Sequence, residues 1–243
     1  MRTRIKICGL TREQDVDACI EAGVDAVGFV FYAQSPRAVS PAKARELVRR
    51  LPAWMSAVGL FVNAGRDNAL RVADQAGVSH IQLHGDESAA DCYGFDRPLI
   101  KAIRVRSTPN PDSFSQELHR LRAILREISE VASPLFDADS PAFGGSGQAF
   151  DWALLQALSD PSAPNSLGQN PTWVLSGGLE SGSVGKAIAD LAPPCVDVSS
   201  GVELRQNGEL CRGLKDASRI RDFVAAVVAA GQPSDSLVNS RQR

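Results

Sequence analysis

Short apolar runs of strand length alternate with amphipathic segments of helix length along almost the whole chain, and this constrains the fold more than any other feature. Such alternation is the signature of βαβ units and a parallel sheet. The apolar runs are Arg4–Cys8, Asp25–Phe31, Ser56–Val62, His80–His84, Leu99–Val105, Pro134–Asp137, Thr172–Leu175 and Cys195–Val198. Helices are expected over about 12–22, 41–51, 66–76, 114–131, 181–191 and 214–230, with shorter ones near 87–93 and ending at Leu158. Gly23 closes the first helix, and Ala22-Gly23-Val24-Asp25 is echoed by Ala76-Gly77-Val78-Ser79, each leading into a strand. Thr11 stands where a helix N-cap belongs, with Gln14 as its capping-box partner. Eight strands, each followed by a helix, close into an α/β fold of the (β/α)8 TIM-barrel type, one domain over 1–231. An open doubly wound sheet fits less well, because no Gly-x-Gly-x-x-Gly follows the first strand and the count reaches eight.

Composition narrows the partners. The length of 243 residues suits one barrel of ~250 residues and leaves no room for a second. A net charge of −2 with no basic stripe argues against nucleic acid. The five cysteines are odd in number and scattered, with no Cys-x-x-Cys pair, which reads as a reduced, cytoplasmic pattern. No signal peptide precedes the first strand, and no apolar run approaches a membrane span. The Ser-, Pro- and Gly-rich segment 159–171 reads as a surface insertion, and the polar tail 232–243 as disordered.

In a barrel of parallel strands the chemistry sits at the C-terminal strand tips. Read in order, the tips carry Cys8, the loop with Arg37, His84, Asp137, Ser176-Gly177-Gly178 and Asp197 to Gly201. The small-residue turns after strands seven and eight, with Gly177, Gly178, Ser199, Ser200 and Gly201, suit a phosphate held by backbone N–H groups at helix starts. Each turn alone is equally a tight strand-to-helix connection. The pair on adjacent strands points to phosphate. A carboxylate at the end of an apolar run is costly unless it is hydrogen-bonded or functional, so Asp137 stands out. Asp139 is its close competitor, and Asp137 follows the apolar run directly. Arg37 has the planar fork that suits a carboxylate, while His84 reads as a packed rim residue. Cys8, His84 and Asp137 lack ligand-type spacing, so no metal is expected.

Taken together, Lys6-Ile7-Cys8-Gly9-Leu10-Thr11, Phe31 with Ser35-Pro36-Arg37, Gln82-Leu83-His84-Gly85, Leu135-Phe136-Asp137 before Gly144-Gly145-Ser146-Gly147, Phe150-Asp151-Trp152, Ser176-Gly177-Gly178-Leu179 and Val196 to Glu203 form an ordered set. This set resembles the phosphoribosylanthranilate isomerases of tryptophan biosynthesis, over about residues 4 to 230. The resemblance implies a (β/α)8 barrel and an Amadori rearrangement of N-(5-phosphoribosyl)anthranilate to 1-(o-carboxyphenylamino)-1-deoxyribulose 5-phosphate, without cofactor. It implies that Cys8 is the general base and Asp137 the general acid. Arg37 would then hold the anthranilate carboxylate and Asp197 the ribose–phosphate end. The turns around Gly178 and Ser200-Gly201 would cradle the phosphate, and His84 would line the site.

Those residue types suit the chemistry. Ring opening needs a proton on the furanose oxygen, so the acid must arrive protonated, a state that burial at an apolar tip favours. The resulting iminium has an acidic C2′ proton that a thiolate can remove, and an electropositive mouth would favour the thiolate. The chain departs from a compact family member in its expanded 139–143 and 159–171 segments; the first borders the site and the second is expected to be inert surface. Three alternatives compete: a dual-specificity or histidine-pathway sugar isomerase, indole-glycerol-phosphate synthase, and a non-catalytic phosphosugar-binding barrel. The histidine-pathway family has aspartate where Cys8 stands, the synthase needs a lysine–glutamate pair, and a binding barrel has no need of both acid and base. The expected partner is the small-molecule substrate, on a monomer or homodimer.

Overall fold

The structure, a computed structural model, describes residues 2–139, 150–160, 166–167 and 172–231. Eight parallel strands close in sequence order into a barrel: β1 (Arg4–Cys8), β2 (Ala26–Val30), β3 (Ser56–Phe61), β4 (His80–Leu83), β5 (Leu99–Val105), β6 (Ser133–Ala138), β7 (Val174–Leu175) and β8 (Cys195–Val198). Closure is completed by β1 pairing with β8, where Lys6 lies opposite Asp197. Around the barrel run α1 (Glu13–Ala22), α2 (Pro41–Val48), α3 (Arg66–Ala76), α4 (Pro111–Ile128), α5 (Ala153–Leu158), α6 (Ser181–Leu191) and α7 (Ala217–Ala230).

Alternation along each strand sorts side chains into two layers. Ile5, Ile7, Phe136 and Val196 belong to the large apolar layer between sheet and helices. There Phe136 meets Trp173 edge to face, with ring centroids 6.1 Å apart. The residues between them, Lys6, Cys8, Asp137 and Asp197, take the other face and project into the barrel. The interior is filled by two small apolar clusters, one of Ala102, Leu135 and Val174, the other of Cys8, Val30, Leu60 and Val62. Buried polar residues occupy the space that these clusters leave, so the barrel mouth is where charge has collected.

Four expectations change. The helix near 87–93 is only a 3-10 turn over Ala90–Cys92. Beside it Glu87 accepts from the N–H groups of Asn63 and Gly85, and from Lys101 Nζ at 2.7 Å. Thr11 does not cap α1: Arg12 holds the N-cap position without a side-chain bond, and the Thr11 hydroxyl donates to the Gly213 carbonyl. The 159–171 segment is not all surface, because Ser166 and Leu167 are buried and Leu167 joins the core. Last, the stretch before α7 is not plain loop but a hairpin, β9 (Glu203–Gln206) with β10 (Glu209–Lys215). Its turn is Asn207-Gly208, both at positive φ (51° and 84°), which is the type I′ geometry that an Asn-Gly pair favours. The glycine-rich stretch 144–148, most of the 139–143 loop and the tail 232–243 lie outside the described residues.

Candidate active site

Cys8 ends β1 and is 5% exposed. Its neighbours are cationic. A Cβ placed on Gly28 of β2 would lie 2.8 Å from the Cys8 sulfur and 3.3 Å from Lys6 Nζ, so thiol and ammonium share the small space above that glycine. Lys6 Nζ also donates to Asp197 Oδ1 at 2.9 Å, and both side chains are buried. Burial works against the Lys6 ammonium, but Asp197 and the Cys8 sulfur outweigh it and hold the pKa well above the ordinary lysine range. The electropositive mouth expected to favour the thiolate is present in Lys6 and Lys215, yet burial prevails. It pushes the Cys8 thiol above its ordinary value, with Lys6 and Lys215 pulling it down and Asp197 adding to the rise. Burial likewise pushes the Cys19 and Cys195 thiols up, each to about 12.

Asp137 projects from the end of β6, with β7 and β8 between it and β1. It is 6% exposed, whereas Asp139 lies past the strand end and is exposed, so Asp137 is the carboxylate that faces the interior. Its Oδ1 accepts from the Ala138 N–H at 2.9 Å. Its Oδ2 lies 3.2 Å from His84 Nε2, a close approach without hydrogen-bond alignment. The Gln82 amide nitrogen meets His84 Nδ1 at 2.9 Å. With the amide donating there, the imidazole proton sits on Nε2 and faces Asp137. His84 thus lies along the flank of Asp137.

The two small-residue turns lie side by side. Gly177 (φ 84°) leaves no room for a side chain, since a Cβ there would meet the Ala138 nitrogen at 2.8 Å and Asp137 Oδ1 at 3.1 Å. Gly201 lies directly against the Leu179 carbonyl, with the same construction giving 2.0 Å. Gly177 and Gly178 lead into the N-terminus of α6, and Ser200-Gly201 opens a 3-10 turn before β9. The Ser199 hydroxyl is occupied within the protein, donating to the Cys8 carbonyl at 3.0 Å.

Arg37 is buried, and its fork meets Glu203 with Nε–Oε1 2.7 Å and Nη2–Oε2 2.8 Å. Glu203 also accepts from the Gly213 N–H and from Lys215 Nζ. The structure therefore collects Cys8, Arg37, Asp197 and the β8 turn in one sector, and His84 with Asp137 in another. Lys6, Gln82, Glu203 and Lys215 were given no role from sequence. Lys6, Gln82 and Glu203 lie inside the motifs quoted above, but motif membership says nothing of partners.

A (β/α)8 barrel with a buried thiol, a buried carboxylate and paired small-residue turns at its strand tips has the architecture of a barrel enzyme that works at the C-terminal face of its sheet. The family model for N-(5'-phosphoribosyl)anthranilate isomerase matches residues 5–226. The isomerase of Dechloromonas aromatica is 45% identical over 233 residues, 96% of this chain and 99% of that protein. A phosphoribosylanthranilate isomerase crystallised with reduced 1-(o-carboxyphenylamino)-1-deoxyribulose 5-phosphate superposes with a TM-score of 0.71. It is 33% identical, over 93% of this chain and 99% of its own. Monomers generated from the dimeric isomerase of Thermotoga maritima give a TM-score of 0.71 at 32% identity, over the same shares. The chain belongs to the phosphoribosylanthranilate isomerase family. It converts N-(5-phosphoribosyl)anthranilate to 1-(o-carboxyphenylamino)-1-deoxyribulose 5-phosphate in tryptophan biosynthesis.

Proposed function

We propose that Cys8 is the base and Asp137 the acid of this rearrangement. The observation that carries the assignment is that a thiol and a carboxylate, both buried, project into one barrel from the tips of β1 and β6. Asp137 in its acid form protonates the furanose oxygen, the C1′–O bond breaks, and the nitrogen lone pair forms the iminium. The Cys8 thiolate then removes the C2′ proton, and the C–H electrons collapse into an enolamine, which tautomerises to the ketone of the product. The raised Cys8 pKa keeps the thiolate a minor form at neutral pH and makes it a stronger base once formed.

Substrate holding follows the same division. Arg37 receives the anthranilate carboxylate. The turns with Gly177, Gly178, Ser199, Ser200 and Gly201 receive the phosphate through backbone N–H groups, and Asp197 faces the ribose end. No step draws on a metal or cofactor. The partner is this small-molecule substrate, taken by a monomer or a homodimer. The five unpaired cysteines suit a reducing compartment, the cytoplasm. No helix among the described residues is long and apolar enough to cross a membrane.

The test is turnover of substrate made in situ, followed by loss of its fluorescence. Cys8→Ala and Asp137→Asn should each lower kcat by at least ~10²–10⁴-fold, the range for general acid–base groups. An active Asp137→Asn beside a dead Asp139→Asn would move the acid to Asp139.

A further inference from the structure

Arg37 and Glu203 stand 166 residues apart in sequence, yet they form a bidentate pair deep in the site. Glu203 is completely buried, as is the Lys215 side chain beside it. The arginine stem lies against the turn that follows Cys8, since a Cβ on Gly9 would fall 2.5 Å from Arg37 Cδ. The hairpin completes the frame. Lys215 Nζ donates to Glu203 Oε1 and to the Ser199 carbonyl, and Ser199 Oγ donates to the carbonyl of Cys8. One unbroken series of contacts thus joins Arg37 to the backbone of the β1 tip.

Charge in this series is not balanced internally. Two buried cations, Arg37 and Lys215, share the single carboxylate of Glu203. Burial and the Arg37 charge push Lys215 below the ordinary lysine range, against the pull of Glu203 and Cys8. A frame with one positive charge in excess is suited to an anion. The fork to Glu203 occupies Nε and Nη2, so Nη1 remains for that anion.

We infer that Glu203, carried in by the hairpin, is the positioning residue for Arg37. It locks the guanidinium plane so that the enzyme selects an N-aryl ribosylamine phosphate bearing an aryl carboxylate over one bearing a neutral ring. The inference rests on the reading of Arg37 given above. A flexible arginine would attract the same charge, but it would lose part of the interaction in ordering its side chain. A pre-locked fork does not. A residue that served only the fold would affect both substrates alike.

The experiment compares N-(5-phosphoribosyl)anthranilate with the analogue prepared from aniline and ribose 5-phosphate, which lacks only the carboxylate. Wild type, Arg37→Gln, Glu203→Gln and the double variant are assayed on both. The double variant keeps the net charge of the wild-type frame, one positive charge now on Lys215, which keeps the comparison open should Glu203→Gln, with two unpaired cations, fold poorly. In Glu203→Gln, KM for the carboxylated substrate should rise about tenfold or more, well beyond any fall in kcat, with kcat/KM for the analogue changed less than about threefold. In the Arg37→Gln background, adding Glu203→Gln should cost nothing further in discrimination. Equal losses on both substrates, or a full additional loss in the double variant, would overturn the positioning role. A wild type that does not prefer the carboxylated substrate, or an Arg37→Gln that keeps the preference, would instead remove the reading of Arg37 itself.

Discussion

Around Cys8 the buried charges are paired, Lys6 with Asp197 and both Arg37 and Lys215 with Glu203. Beside Asp137 stand the His84 imidazole and, in register on β5, Arg104, whose guanidinium pairs with Asp86, while Gln82 Oε1 and His84 Nε2 have no aligned hydrogen-bond partner among the described residues. The sector of the proposed base therefore resembles a fixed electrostatic device, whose field on the thiol is set by buried, mutually paired groups. The acid sector is looser, with unused polar capacity of the kind that interiors seldom tolerate away from functional sites. The difference follows from the two tasks. A buried thiol needs nearby cations to ionise at all, whereas a carboxylic acid must receive and give a proton, which strong cationic pairing would oppose.

Removing one member of a pair should break the base sector hardest. Lys6→Met leaves Asp197 buried without its partner, and the expected loss of stability is about 3–5 kcal/mol by urea unfolding. In wild type kcat/KM should still be climbing with pH at the ordinary thiol pKa of about 8.5, because burial has raised Cys8. Lys6 opposes that rise, so in Lys6→Met the limb should move to still higher pH. An unshifted limb would show that the thiol does not sense this ammonium. The acid sector should respond differently to Gln82→Leu, which removes one unpartnered atom while freeing His84 Nδ1. Stability should fall by only about 1–3 kcal/mol. The rate should fall by up to roughly 10²-fold with little change in KM, as His84 loses its orientation beside Asp137. A loss as large as that of Lys6→Met would erase the contrast between the sectors.

The smallest effect is a change of slope in acid. Burial pushes the Glu203 carboxyl up, but the Arg37 fork, Lys215 and the Gly213 N–H outweigh it and hold it below the ordinary range. A depressed native pKa contributes stability that is complete above the unfolded value of about 4.3 and is lost as pH falls below it toward the native value. Glu203→Gln should therefore flatten the stability–pH curve below about pH 5 relative to wild type, read from thermal melts across that range. A parallel curve would mean that other carboxylates carry the acid response.

Much of this barrel was legible in the order of residues. Short apolar runs ended by small or polar residues, alternating with amphipathic stretches of helix length, placed the eight strands and their tips without any tertiary information. Cys8 and Asp137 stood out because each closes such a run, and Ser176-Gly177-Gly178 and Ser199-Ser200-Gly201 because small residues recur at two adjacent tips. The hairpin had a local signal, Asn207-Gly208, but its flanks Glu203–Gln206 and Glu209–Lys215 carry too much charge to read as core strands. What only the tertiary structure decided is which charge meets which. Lys6 finds Asp197 across 191 positions because β8 closes on β1, and Arg37 finds Glu203 because a hairpin folds back over the mouth. Hydrophobic periodicity specifies the side of a strand that is buried. The partner of a buried charge is specified only by closure of the barrel, which no local pattern encodes.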